Sequence, residues 1–320
     1  MPRETRRARV PAFAKINLCL EVLGRRSDGF HDLRTIFQTI SLADDLEIEF
    51  TPGRKTGVSL DSTIEIADNL VLRAAMAVIE ATNAKGWTRF ALKKRIPMGG
   101  GLGGGSSDAA AVLLGLPILT GRHLPWEKLI EIGASLGSDV PFFLTGGTAL
   151  GLGRGTELYP LEFRDKTRAL LVTPGIHVST PEAFRALGRS LTWNAPSPKI
   201  NTSQRVALAL SGERVAGDWS DLCSNDFESA VFRQHPQLSA IKQKLERLGA
   251  RPALMTGSGS AIFGVFRNPK EITRAKVAFR NERVFPISFV SRARYFATWW
   301  KKLSEHMQGD EWPPQSRYSR

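Results

Sequence analysis

The chain is poor in the residues that build disulfide frameworks and metal centres. Of its 320 residues only two are cysteine, Cys19 and Cys223, and its five histidines include no H-x-x-x-H pair. Two distant thiols exclude a disulfide scaffold, and neither lies in a metal-type spacing. Both are therefore read as reduced, and a zinc centre gains no support. Long apolar runs are missing as well. No stretch approaches the roughly 20 residues needed to cross a bilayer, and "MPRETRRARV" lacks the hydrophobic segment of a secretory signal. A cytoplasmic protein with no membrane partner is the default expectation.

Acidic residues are the scarcer charge, 31 against 44 basic, for a formal net charge of +13. The surplus lies largely in "RETRRAR" at the start and "RARYFATWWKK" near the finish, which reads as basic termini on a near-neutral body. A positive field attracts nucleic acid and phosphate-rich small molecules alike, so charge alone leaves both open. With 42% hydrophobic residues the chain can bury a sizeable core, and its length suggests two domains.

What is abundant is glycine, concentrated in "IPMGGGLGGGSSDAA", where it fills six of the seven positions from Gly99 to Gly105. Such a run costs conformational entropy, and its usual return is close approach of backbone to a ligand. A loop without Cβ atoms turns N–H groups inward, and the helix implied by "DAAAVLLGL" offers a dipole that favours negative charge. The loop therefore reads as a phosphate cradle. It is not a P-loop, because Gly104 is followed by Gly105 where that motif has Lys. Its match to G-x-G-x-x-G is what any glycine-rich run gives, and a dinucleotide fold wants the loop near the start of a βαβ unit.

In "AKINLCLEV" Ile16, Leu18, Leu20 and Val22 alternate with Lys15, Asn17, Cys19 and Glu21, the period of a half-buried strand with Lys15 and Asn17 on one face. "DLEIEF" and "FALKKR" read as further strands, and "ADNLVLRAAMAVIEA" as a helix capped near Asp68 or Asn69. A helix is expected through Leu116 and another from Trp126 to Leu136, leaving Asp139 on a turn. A new unit begins near Thr167. Its strand, loop, strand, helix, strand pattern predicts a split α+β sandwich of ferredoxin type. The boundaries are placed at 1–165 and 166–298, with 299–320 as a polar tail expected to be partly disordered.

"PMGGGLGGGSSDAA" resembles the ATP loop of the GHMP kinases. "PAFAKINLCLEVLGRRSDGFHDLRTIFQTI", "LGSDVPFFLTGGTALGLGRG" and "LMTGSGSAIFGVF" resemble the branch of that family that phosphorylates 4-diphosphocytidyl-2-C-methyl-D-erythritol, in family order from Pro11 to Phe266. The resemblance implies an α+β, two-domain fold: an N-terminal ATP-binding domain, of a type shared with a ribosomal protein, and a C-terminal ferredoxin-like sandwich. It implies ATP as co-substrate with Mg²⁺, a small-molecule acceptor, no nucleic acid, and a monomer or homodimer. On the matching positions Asp139 corresponds to the catalytic base and Lys15 to its partner. Pro97, Met98, Gly99, Gly100, Gly101, Leu102, Gly103, Gly104, Gly105, Ser106 and Ser107 correspond to the triphosphate loop, Ser107 also to a Mg²⁺ ligand, and Asn69 to a position near adenine. Phe30 would stack on cytosine, His31 would bond the base, Phe184 would face Phe30 across it, and Asn17 and Thr180 would be polar contacts. Asp108 stands where some relatives have Asn, so its role stays open, and "TGSGS" is either a second ligand turn or a plain tight turn. Rival readings are a mevalonate-type or homoserine-type kinase, against which "SDGFHDL" speaks, a basic nucleic-acid-binding protein, and a dinucleotide oxidoreductase.

Overall fold

The alternating segment of Lys15 and Asn17 lies in a 20-residue strand, β1 (Arg6–Arg25), paired antiparallel along its length with β2 (His31–Pro52). The structure, a computed structural model, describes residues 4–163, 167–188, 202–210, 219–309 and 311–318. Four more strands complete the sheet: β3 (Gly57–Ser62), β4 (Gly86–Lys93), β5 (Thr148–Gly153) and β6 (Glu157–Leu161). The order is β3-β4-β2-β5-β6, with β4 and β5 sharing one edge of β2 and β1 on the other. Helices α1 (Leu70–Thr82), α2 (Gly104–Thr120), α3 (Trp126–Leu136) and α4 (Val140–Thr145) belong to this half. Every residue of α2 from Ser107 to Leu119 is buried, as a helix apolar on all sides must be.

The second half is a sheet of β7 (Arg168–Thr173), β8 (Ala253–Met255), β9 (Ile262–Phe266) and β10 (Arg283–Ser288), in the antiparallel order β10-β7-β9-β8. Between β7 and β8 run α5 (Thr180–Leu187), α6 (Thr202–Leu210), α7 (Glu228–Gln234) and α8 (Pro236–Arg247), and α9 (Pro269–Ala278) joins β9 to β10. Helices in the two crossover connections and an outer strand that comes last in sequence make the expected split sandwich. The division expected at 165/166 lies outside the described residues.

From Ala14 to Leu20 the first strand is buried on both faces rather than half-buried. Ala8, Val10 and Ala12 pack with the helices of the first half, whereas Ala14, Ile16 and Leu18 pack with Leu171 of β7, Phe263 of β9 and Ile287 of β10. A register irregularity between Phe13 and Lys15 marks the change of face, as an inserted residue shifts a period-2 pattern by one. Both faces of β1 are thus covered where Lys15 and Asn17 sit, and both side chains are buried.

The tail also departs from expectation. A tenth helix, α10 (Arg292–Leu303), runs across the division placed at 298/299, with Tyr295, Trp299 and Leu303 buried at four-residue spacing. Beyond it, Trp312 donates from its indole N–H to the Leu144 carbonyl (3.0 Å) and Ser316 bonds the Ile118 carbonyl (2.6 Å). An aromatic stripe hidden among polar residues makes the described residues of this segment part of the first core. The basic N-terminus is likewise built in: Arg7 pairs with Glu47 at 2.8 Å, and Arg9 Nε with Asp45 at 2.6 Å.

The glycine loop tests its own explanation. Gly99, Gly101 and Gly103 have φ of +70°, +72° and +69°, and a Cβ on Gly101 would lie 2.2 Å from the Thr256 carbonyl oxygen. Part of what glycine provides here is therefore contact with the second domain's turn. Gly101→Ala is expected to lower stability by about 1–3 kcal/mol, whereas Gly105→Ala, whose Cβ would meet only Leu70 at 3.7 Å inside α2, should be neutral or stabilising. Urea unfolding of the two variants checks the contrast.

Candidate active site

Lys15 is 4% exposed, and a buried ammonium needs acceptors. Its Nζ donates to Asn17 Oδ1 at 2.9 Å, lies 3.5 Å from Asp139 Oδ2, and stands 5.5 Å from the centre of the Phe37 ring. Asn17 is nearly saturated in turn. Its Oδ1 also accepts from Gly257 N (3.0 Å) and from the Thr256 hydroxyl (3.3 Å), while its Nδ2 donates to Thr35 Oγ1 (2.7 Å), which donates on to the Cys19 carbonyl. The carboxamide expected to contact a substrate thus spends its oxygen holding Lys15 and the "TGSGS" turn. Asp139 occupies the N-cap position of α4 and makes no capping bond, so its carboxylate remains about a third exposed beside Lys15.

The glycine loop enters from the other side. Leu102 is buried in the inter-domain core and its carbonyl accepts from Lys15 N at 3.0 Å. Met98 is exposed, and the carbonyls of Gly99 and Gly100 accept from Ser260 N and Ala261 N. Gly103 is the N-cap of α2, and a Cβ there would lie 2.8 Å from the Phe143 ring. Ser106 lines the adjoining cleft; Ser107 is buried with no partner for its hydroxyl. Asn69 caps α1 by accepting from Val71 N at 2.9 Å, and a Cβ on Gly105 of the loop would lie 3.7 Å from its neighbour Leu70. Asn69 is not among the residues lining the cleft.

Asp108 points inward. Lys94 Nζ donates to it at 2.7 Å and also to Asp44, which accepts from the backbone N–H groups of Arg95 and Ile96. This buried triad ties the chain entering the loop to the helix leaving it. Burial works against the Lys94 ammonium, but the attraction of Asp108 and then Asp44 outweighs it and raises its pKa.

The cleft has a volume of about 940 Å³ and brings together Lys15, Asn17, Phe30, His31, Gly101, Ser106, Asp139, Thr180 and Phe184. Phe184 stacks on His31 instead of presenting a free face to Phe30, with ring centres 4.3 Å apart and planes at 15°. Phe30 carries the Arg154 guanidinium 3.5 Å above its ring. Thr180 shares a 2.8 Å hydrogen bond with Ser258. His31 has its pKa lowered by burial and then by the Arg25 charge. The sequence reading missed Thr35, Arg154 and Asn225, whose Nδ2 donates to the Met255 and Gly257 carbonyls. Only Arg154 had a local signal, an arginine between glycines in "GLGRG".

Residues 69–147 match the model of the GHMP kinases N terminal domain, and residues 206–284 that of the GHMP kinases C terminal domain. The 4-diphosphocytidyl-2-C-methyl-D-erythritol kinase of Solibacter usitatus (strain Ellin6076) is 54% identical over 317 residues, covering 98% of this chain and 99% of the relative. The chain belongs to that kinase family. The corresponding enzyme of Moorella thermoacetica is 41% identical over 88% of this chain and 98% of its own length. A crystal structure of a 4-(cytidine 5'-diphospho)-2C-methyl-D-erythritol kinase superposes with a TM-score of 0.74 at 37% identity, covering 88% of this chain and 98% of that one. A homoserine kinase from Cytophaga hutchinsonii, at 17% identity and a TM-score of 0.64, shares the fold.

In this kinase the buried triad gives a pH signature. Burial pushes the Asp108 carboxyl from its ordinary 3.8 up to about 7; Lys94 opposes the rise and Asp44 adds to it. Between about pH 4 and 7 the folded state therefore keeps a proton that the unfolded chain has released, and this group's contribution to stability falls as pH rises through that window. Asp108→Asn should flatten that stretch of the pH–stability curve, measured by urea unfolding at stepped pH.

Proposed function

We propose that this kinase transfers the γ-phosphoryl group of ATP to the 2-hydroxyl of 4-diphosphocytidyl-2-C-methyl-D-erythritol, giving the 2-phosphate and ADP, in the non-mevalonate route to isoprenoids in the cytoplasm. The observation that carries this is the Lys15–Asp139 pair, 3.5 Å apart in a cleft. The glycine loop meets that cleft at Gly101 and Ser106, and the aromatic residues Phe30, His31 and Phe184 line it as well.

Phosphoryl transfer asks mainly for positioning and charge neutralisation. Asp139 accepts the proton of the attacking hydroxyl, with its carboxylate open to the cleft for that purpose. Lys15, fixed by Asn17, offsets the negative charge that builds between acceptor and γ-phosphate. Free N–H groups in the first turn of α2 face the triphosphate, as helix N-termini do for anions. Ser107 suits Mg²⁺ because its buried hydroxyl has no protein partner, and with the nucleotide's phosphates it would hold the ion, which neutralises phosphate charge when bound. Among the described residues no group of three His, Cys, Asp or Glu side chains could hold a metal on its own.

Cytosine reaches the face of Phe184 by displacing His31, which then becomes available to hydrogen-bond the base. Phe30 offers its other face opposite Arg154. The cleft thus exchanges one stack for another, which limits the net cost of admitting the base.

Turnover is expected with the cytidyl sugar alcohol and not with mevalonate or homoserine, measured as ADP release from MgATP with the three alcohols in parallel. Phe184→Ala should raise KM for the cytidyl substrate roughly tenfold and leave KM for ATP unchanged. Turnover with another alcohol would contradict the substrate, and an unchanged KM in the variant would contradict the stacking role.

A further inference from the structure

The helix that bears Asp139 is too short to satisfy its own backbone. In the six residues of α4, Gly146 N and the Thr145 hydroxyl both bond the Phe142 carbonyl, at 2.8 and 3.2 Å. The carbonyls that follow have no intrahelical donors, as at any helix C-terminus. Two of them, and two carbonyls just beyond the helix, are met by the chain's last segment. Tyr295 donates its phenol O–H to the Phe143 carbonyl, Trp312 its indole N–H to Leu144 (3.0 Å), and Arg292 its Nη2 to Gly146 (3.3 Å) and Thr148 (3.0 Å).

This contact is close by construction. A Cβ on Gly146 would lie 2.6 Å from the Tyr295 ring, and one on Gly147 within 2.9 Å of the Arg292 backbone. Trp312 is fixed by stacking on Phe296, with ring centres 4.0 Å apart and planes at 14°. Burial raises the pKa of the Tyr295 phenol, keeping it a donor. The Phe143 ring in turn packs against Gly103, the N-cap of α2, where Lys15 also makes contact.

We infer that the segment from Arg292 to Tyr318 is a positioning element for catalysis: through Tyr295 and Trp312 it holds the C-terminal end of α4, and so fixes Asp139 against Lys15 and the glycine loop. Neither residue lines the cleft, so both act through α4. The inference rests on the reading of Asp139 as the base.

Tyr295→Phe and Trp312→Phe each remove a donor and keep an aromatic ring, so Trp312→Phe retains a partner for Phe296. Each is expected to lower kcat roughly tenfold, with KM for both substrates within about twofold of the parent. The pH dependence of kcat should keep its form, because the base is unchanged. Amide hydrogen exchange in residues 140–146 should speed up in the folded variants while exchange in β7 and β9 does not change. Parent-like kcat in variants that are folded at the assay temperature would overturn the inference, and so would unchanged exchange in α4. Should either variant unfold, the exchange contrast in the other decides. Asp139→Asn, assayed beside them, separates the two claims. Loss of turnover there with full kcat in the aromatic variants sinks the positioning role alone, whereas parent-like turnover in Asp139→Asn sinks the base and this inference together.

Discussion

The buried ammonium of Lys15 organises the junction of the two halves. Lys15 lies where both faces of β1 are covered, by the helices of the first half and the sheet of the second, so its charge must be met by groups inside the protein. Asn17 and Asp139 meet it. Because the Asn17 oxygen also accepts from Thr256 and Gly257, one carboxamide joins the central sheet, the cation and the second domain's turn. Loss of either partner would leave the other polar groups unsatisfied at the junction, which is why such networks act as units.

The glycine loop belongs to the same constraint. Its glycines let the backbone pass within van der Waals distance of Thr256 and Phe143, so the cradle is built by both domains and by α4. Helix α4 connects outward as well, through Phe143, Leu144 and Gly146, to α10 and Trp312. Asp139, Lys15 and the loop therefore share one neighbourhood, whose outermost layer is the chain's C-terminal segment.

Much of this was legible in the sequence. Alternation predicted β1, the capped segment "ADNLVLRAAMAVIEA" predicted α1, and the glycine run marked the loop, because local pattern and tertiary role agree there. What escaped depends on partners distant in sequence. The second cover over β1 is supplied by β7, β9 and β10, more than 140 positions away. The Tyr295, Trp299 and Leu303 stripe has a helical period, but the stretch from Trp299 onward shows no clear period of its own, ends polar and holds two prolines, which suggested partial disorder. The sequence placed His31 and Phe184 around the same base without stacking one on the other, and it marked Asp108 without its partner Lys94. No pattern in the chain states which of them meet.

The most direct test of the account is a crystal structure of the chain with the cytidyl sugar alcohol and an unreactive ATP analogue. The account predicts the acceptor's 2-hydroxyl within hydrogen-bonding distance of the Asp139 carboxylate, the γ-phosphate position beside Lys15, and His31 lifted from Phe184 with cytosine in its place. An acceptor hydroxyl lodged away from Asp139, with the Lys15–Asp139 pair facing empty solvent, would contradict it.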